Sequence, residues 1–149
     1  MTKYHHIYLD AIDKAGKNIV GKYIDQLGNH FYTISDRGII SNVTFSRMFN
    51  RGYEYDLEQY RDCVFVYLTV DKPDWLIRCK LTNEPKIDYE LNRSQFDQTV
   101  KEFKDKGFRV LEFNTSELTP YQVAKKVIAY IENLNDQEQR IVNSKQMLR

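Results

Sequence analysis

The chain has 149 residues, enough for one domain with a sizeable core and too few for two. With 42% hydrophobic and 29% charged residues it has the composition of a folded domain, which excludes the disordered and fibrous classes. Its 22 Lys and Arg balance 21 Asp and Glu to a net charge of +1, so no basic field points to nucleic acid or an acidic membrane, while charged small ligands stay open.

No internal repeat, low-complexity tract or Pro/Gly/Ser linker divides the chain, so residues 1–135 read as one domain and 136–149 as a polar C-terminal tail. The longest apolar runs are strand-sized and the first six residues hold no signal-peptide core, which gives the expectation of a cytoplasmic protein with no membrane partner. Cys63 and Cys79 sit among apolar residues outside any CxxC pair and read as reduced core thiols.

Residues 6–10 form the first strand candidate. Behind it Ile19, Val20, Tyr23, Ile24 and Leu27 recur at helical spacing, with Gly28 as a stop. Residues 31–35 read as a second strand. The run Cys-Val-Phe-Val-Tyr-Leu-Thr at 63–69 is a third, and its unbroken apolar character suits a strand covered on both faces of a parallel sheet. Asp71 and Pro73 take the N-cap and first-turn positions of a helix, and Phe96, Val100 and Phe103 mark another that Gly107 ends. A fourth strand covers 109–113. Thr119 and Pro120 start a last helix that turns Val123, Val127, Ile131 and Leu134 inward. Strands alternating with helices predict an α/β domain with a parallel sheet, and in such sheets ligands bind beyond the carboxyl ends of the strands.

The turn between the first strand and the first helix reads Asp10-Ala11-Ile12-Asp13-Lys14-Ala15-Gly16-Lys17-Asn18, the phosphate-loop pattern GxxxxGK[ST] with two departures. Such a loop curls backbone N–H groups around phosphate oxygens at a helix N-terminus, with a glycine where a side chain would collide and a lysine reaching the terminal phosphates. Gly16 and Lys17 supply these. Ala11 stands where the first glycine belongs, and Asn18 where a hydroxyl would bind Mg²⁺. Taken alone, the segment also reads as a strand–turn–helix whose Gly-Lys pair serves packing and solubility.

Leu9 to Asn18 resembles the loop of thymidylate kinases and related deoxynucleoside monophosphate kinases, F-E-G-x-D-x-x-G-K-T, with Asp13 shared. Asp36-Arg37-Gly38-Ile39-Ile40-Ser41-Asn42-Val43-Thr44-Phe45-Ser46 is similar to that family's D-R-Y-x-x-S-x-x-A-Y-Q segment. Residues 73–93, with Arg78 and Arg93, fall where the family carries an arginine-bearing lid, and Glu112-Phe113-Asn114-Thr115 precedes the last helix as in many phage-type members. The resemblance implies a P-loop NTPase-type three-layer α/β domain with about four parallel strands flanked by helices, the first strand between the second and third. It also implies ATP-dependent phosphoryl transfer to a (deoxy)nucleoside monophosphate, with Mg²⁺, so the expected partners are nucleoside mono- and triphosphates.

Carried over residue by residue, Asp13, Lys14, Ala15, Gly16, Lys17, Asn18 and Ile19 would bind the nucleotide. Asn18 and Asp36 would serve Mg²⁺, and Asp13, Arg37, Ser41, Phe45 and Arg93 the acceptor. Lys17, Asp36, Arg37 and Arg78 would carry the transfer. The chain departs from the family at Ala11 and Asn18, at Gly38 in place of a tyrosine, at Ser46 in place of the base-reading glutamine, and in the short connection before Asp36. These departures sustain a second reading, a catalytically impaired relative that binds a nucleotide or a host protein as a regulator; a homodimer stays open as well.

Other residues carry plainer readings. His5 and His6 open a strand with no third ligand, which reads as ordinary strand residues rather than a metal site. The acidic tyrosine-rich stretch 53–60 reads as a wall or partner-facing segment, and Trp75 as a packing residue. Arg37, beside Asp36, admits an ion pair as well as a phosphate clamp.

Overall fold

A strand buried along its whole length sets the architecture. In the computed structural model, which describes residues 2–52, 55–83 and 87–147, all seven residues of the strand at Cys63–Thr69 are buried. Only a layer on each face of a sheet can achieve that. In chain order the strands are β1 (His6–Ala11), β2 (Thr33–Ser35), β3 (Cys63–Thr69) and β4 (Arg109–Asn114), and they pair in the order β2-β1-β3-β4. Every pairing is parallel. The first strand therefore lies between the second and third, as the sequence predicts.

Five helices cover this sheet: α1 (Lys17–Leu27), α2 (Ile39–Met48), α3 (Lys72–Thr82), α4 (Tyr89–Asp105) and α5 (Pro120–Met147). Alternation along β1 assigns them to faces. Leu9 meets Gly21 of α1, while Tyr8 and Asp10 meet Gly38, which starts α2. Helix α1 packs on α5, and α2 packs on α4, whose Phe96 stacks on Tyr67 and whose Phe103 lies edge-on to Phe65. Ile7, Leu9, Val64, Phe65, Val66 and Leu68 are fully excluded from solvent, each worth about 1.5–3 kcal/mol of transfer free energy. Cys63 and Cys79 are both buried and free. Among the described residues no helix is long and apolar enough to cross a membrane.

At one helix start the side-chain cap is the residue read from the sequence. Thr119 Oγ1 accepts the Gln122 N–H while Gln122 Oε1 accepts the Thr119 N–H, a reciprocal capping box at the head of α5. The Asp88 carboxylate accepts the Leu91 N–H at the head of α4. Asp71 precedes α3, but its side chain takes the Asn114 amide instead of a cap bond. Two features differ from the reading above. Residues 39–48 form a helix where the sequence suggested only a motif, because Ile39, Ile40, Val43, Phe45 and Met48 spread around the helix and leave no apolar stripe. The polar stretch read as a tail continues α5 as helix to Met147. Of the tyrosine-rich stretch, Tyr53 and Glu54 lie outside the described residues, as do 84–86 of the lid segment.

Candidate functional site

The loop that follows β1 lies at the carboxyl edge of the sheet and delivers the chain into α1. Gly16 is the N-cap of that helix at φ 85°, a left-handed conformation open to glycine at little cost. Lys14 also adopts a positive φ, of 65°. No side chain caps α1, and its first intrahelical bond runs from the Val20 N–H to the Gly16 carbonyl. The first-turn N–H groups of Lys17, Asn18 and Ile19 thus have no partner within the helix, and the positive end of its dipole lies open. Lys17 enters no ion pair among the described residues.

These groups face a cavity of about 480 Å³ lined by the loop from Ala11 to Ile19 and by Arg37, Ser41, Phe45, Ile87 and Asn92. All seven residues expected at the nucleotide phosphates line it, as do Arg37, Ser41 and Phe45 from the acceptor group. Arg37 is solvent-exposed, with its guanidinium carbon 5.3 Å from the centre of the Phe45 ring, and makes no ion pair with Asp36. Beyond Arg37 a second cavity of about 550 Å³ continues the first, lined by Arg37, Asn42, Phe45, Ser46, Phe49, Arg51, Tyr55 and Ile87. There Arg51 lies over Phe49, whose ring stacks on Phe45 at 6.2 Å.

Other expected residues are placed differently. Asp36 is exposed and lines a separate cavity of about 460 Å³ on the far flank of α1, with Asn18, Gly21 and Lys22 among its neighbours. Asn18 lines both cavities, so it and Asp36 do share one. No group of three or more His, Cys, Asp or Glu side chains gathers among the described residues. An amide oxygen and one carboxylate fit a Mg²⁺ that is held chiefly by phosphates and water. Arg78 is half-buried and committed: it donates to the Lys14 carbonyl at 2.8 Å and to the Thr115 hydroxyl and carbonyl at 3.1 and 3.2 Å. It straps the loop to the turn after β4. Arg93 pairs with Asp97 and donates to the Tyr89 hydroxyl, and it does not line the cavity.

Three residues that the motif leaves without a role brace the site, Trp75 and Asn92 at the loop and Asp10 at the head of α2. Trp75 donates its indole N–H to Asp13 Oδ2, and the buried Asn92 accepts the Asp13 N–H at 3.0 Å, so one loop donor is already spent on the protein. Asp10 has no exposed surface. Its Oδ1 accepts the Gly38 N–H at 3.0 Å, the Ser41 N–H at 2.9 Å and the Ser41 hydroxyl at 2.5 Å, while its Oδ2 has no partner among the described residues. Burial pushes the Asp10 carboxyl up from the ordinary carboxylate value, against the pull of the Ser41 and Gly38 bonds and the Lys17 charge. A Cβ on Gly38 would lie 2.8 Å from Asp10 Oδ2 and 2.9 Å from Tyr8 Cβ, which explains why no tyrosine occupies that position. A signal for Asp10 was present in the sequence, as the one acid of a strand whose residues from Ile7 to Leu9 are apolar or aromatic. Asn92 gave a weaker one, lying one turn before Phe96 on the buried stripe of α4.

No protein-family model matches the chain, and no curated protein is similar to it. Among solved structures, the YorR protein of Bacillus subtilis, determined in complex with phosphorylated GDP, superposes with a TM-score of 0.65 at 15% identity, covering 85% of this chain and 95% of that one. This chain thus shares its three-layer α/β fold with a protein that was solved holding a nucleotide.

Proposed function

We propose that this chain binds a nucleoside triphosphate by its phosphates in the Ala11–Ile19 loop and transfers the terminal phosphoryl group to a (deoxy)nucleoside monophosphate held at Arg37. The observation that carries the reading is the convergence of an uncapped helix N-terminus with Lys17, of Arg37 from the turn before α2, and of Ser41 and Phe45 from α2, on one cavity. The nucleotide held by the structural neighbour supports it. Transfer breaks the bond between the β-bridging oxygen and the γ-phosphorus and forms one from an acceptor phosphate oxygen to that phosphorus, with ADP as the leaving group. It asks the protein for alignment and charge stabilisation more than for covalent chemistry. The α1 N–H groups and Lys17 hold the donor phosphates, and Arg37 offers a planar bidentate clamp to the acceptor phosphate. Arg78, by gripping the Lys14 carbonyl, keeps the loop in its curled form. Asn18 and Asp36 would hold Mg²⁺, which when bound neutralises phosphate charge.

The engagement of Arg78 with the loop and of Arg93 with Asp97 favours a second reading, a nucleotide-binding relative with weak turnover, since neither lid-segment arginine is turned to the cavity. A coupled ADP-release assay over the common nucleoside monophosphates separates the two. Turnover with any of them supports the kinase. Nucleotide binding without ADP release against the whole panel leaves the regulator, and the absence of any nucleotide binding removes both.

A further inference from the structure

Asp10 is the most completely buried acid described, and the transfer chemistry gives it no task. It is the penultimate residue of β1, at the edge of the phosphate loop. Its bonds lead elsewhere, to the head of α2, which starts at Gly38 without a side-chain cap of its own. A helix start of this kind leaves four backbone N–H groups without partners. Asp10 satisfies the first and the fourth of them, Gly38 and Ser41, from a neighbouring strand 28 and 31 residues away in sequence. The Ser41 hydroxyl closes on the same oxygen. Arg37 precedes Gly38 directly, so the peptide that carries the Arg37 carbonyl is the one whose N–H Asp10 holds. Ser41 and Arg37 both line the loop cavity.

Resting on the reading that Arg37 clamps an acceptor monophosphate, we propose that Asp10 is the positioning residue of the acceptor half of the site, fixing Arg37 and Ser41 against the phosphate loop by capping α2 from the end of β1. The acid works through these two residues and touches no ligand. Its shape requirement is tight on the other side as well, since Gly38 leaves room for Oδ2 only because it has no side chain. A Ser, Thr, Asp or Asn at position 38 itself would be the ordinary way to cap this helix start for stability alone. The Asp10 cap joins the two segments that must be in register for a phosphoryl group to pass between them, and alignment is where such transfers are most sensitive.

The test compares two ligands, ADP with Mg²⁺ and the nucleoside monophosphate that binds the wild type best, by calorimetry on the full chain. Asp10→Ala is expected to weaken the monophosphate by about tenfold, the equivalent of one lost charge-assisted contact, and to keep ADP within about threefold. Asp10→Asn, which retains an acceptor oxygen at the Oδ1 position, is expected to restore most of the loss. Should Asp10→Ala fold poorly, Gly38→Ala presses a methyl on Oδ2 and is expected to produce the same split between the ligands. Equal losses for both ligands would reduce Asp10 to a fold-stabilising cap and overturn the proposal, as would an intact monophosphate affinity or a failure of Asp10→Asn to restore it. A wild type that binds no monophosphate, or one whose monophosphate affinity is indifferent to Arg37→Ala, removes the acceptor reading itself. That failure is visible before any Asp10 variant is made.

Discussion

Helices α1 and α2 both begin with a glycine N-cap at the carboxyl edge of the same sheet, and neither start has a side-chain cap of its own. At α2 a buried carboxylate from the neighbouring strand fills the positive end. At α1 that end opens into a cavity beside Lys17. The two glycines differ in kind: Gly16 is needed for its left-handed backbone, with open space where a Cβ would go, and Gly38 is needed for the space itself. A helix start that a domain satisfies internally is a structural element, whereas one that it leaves open at a mouth is suited to an external anion.

Emptying the filled end should give the largest effect on stability. Asp10→Ala leaves two buried N–H groups and a hydroxyl without their acceptor and is expected to cost about 3 kcal/mol in urea unfolding; a loss below about 1 kcal/mol would mean that α2 needs no cap. The same residue sets a pH dependence. Because burial raises the Asp10 pKa in the folded state, the unfolded chain ionises first as pH climbs from the ordinary carboxylate value of about 4. The contribution of Asp10 to stability therefore falls with rising pH across that window and is flat below it. Melting curves of wild type and Asp10→Asn should converge in acid, with the wild type losing ground to the variant as pH rises through the window; parallel curves would show that Asp10 titrates normally.

The open end should respond to ligand instead. ADP with Mg²⁺ at about a hundredfold over its dissociation constant stabilises a native-state binder by about 2.7 kcal/mol, and Lys17→Ala is expected to abolish that gain while scarcely moving the unliganded melting temperature. An unshifted wild type at millimolar nucleotide would contradict the open-end assignment. Exchanging the glycines sharpens the contrast. Gly38→Ala is expected to cost about 2 kcal/mol by overpacking. Gly16→Ala costs about 1 kcal/mol through its positive φ, with its main effect on nucleotide affinity. Similar stability losses and equal ligand effects in the two variants would erase the distinction. The smallest change is expected at a third helix start: Thr119→Ala removes a cap that α5 supplies for itself, costing about 1 kcal/mol and leaving nucleotide affinity unaltered.

Much of this could be read from the chain because it is written locally. The apolar run at 63–69 announces a central parallel strand, and Gly16-Lys17 between a strand and a helix announces the loop. Helix α2 escaped because its apolar residues do not share one face and its start is capped from elsewhere. The loop cavity gathers every nucleotide-binding residue expected from the motif, since they are consecutive in the chain. Asp36, Arg78 and Arg93 were harder to place, because the direction of a side chain at a strand end or on a helix depends on competing partners. For Arg78 these are a carbonyl 64 residues away and Thr115, and for Arg93 an acid one turn along its own helix. Asp10 shows the same limit, its role being defined by a segment that sequence proximity does not reveal.

The length of α5 bears on how the domain opens. Its buried residues, Val123, Ala124, Val127 and Ile131, all lie in the first half, and Asn135 exchanges two hydrogen bonds with the backbone of Tyr4. Among the described residues, the ion pair of Lys3 with the half-buried Glu138 is the one hydrogen bond or salt bridge that ties another segment to the helix beyond that point. A single continuous helix thus spans two regimes of protection. Amides of the packed half should exchange with solvent only when the whole domain unfolds, whereas those from about Asp136 onward should exchange through local fraying at a small fraction of that free energy. Up to Asn135, held to the start of the chain by two hydrogen bonds, the helix is bound to the cooperative core; past it, the helix can melt and reform while the sheet stays intact.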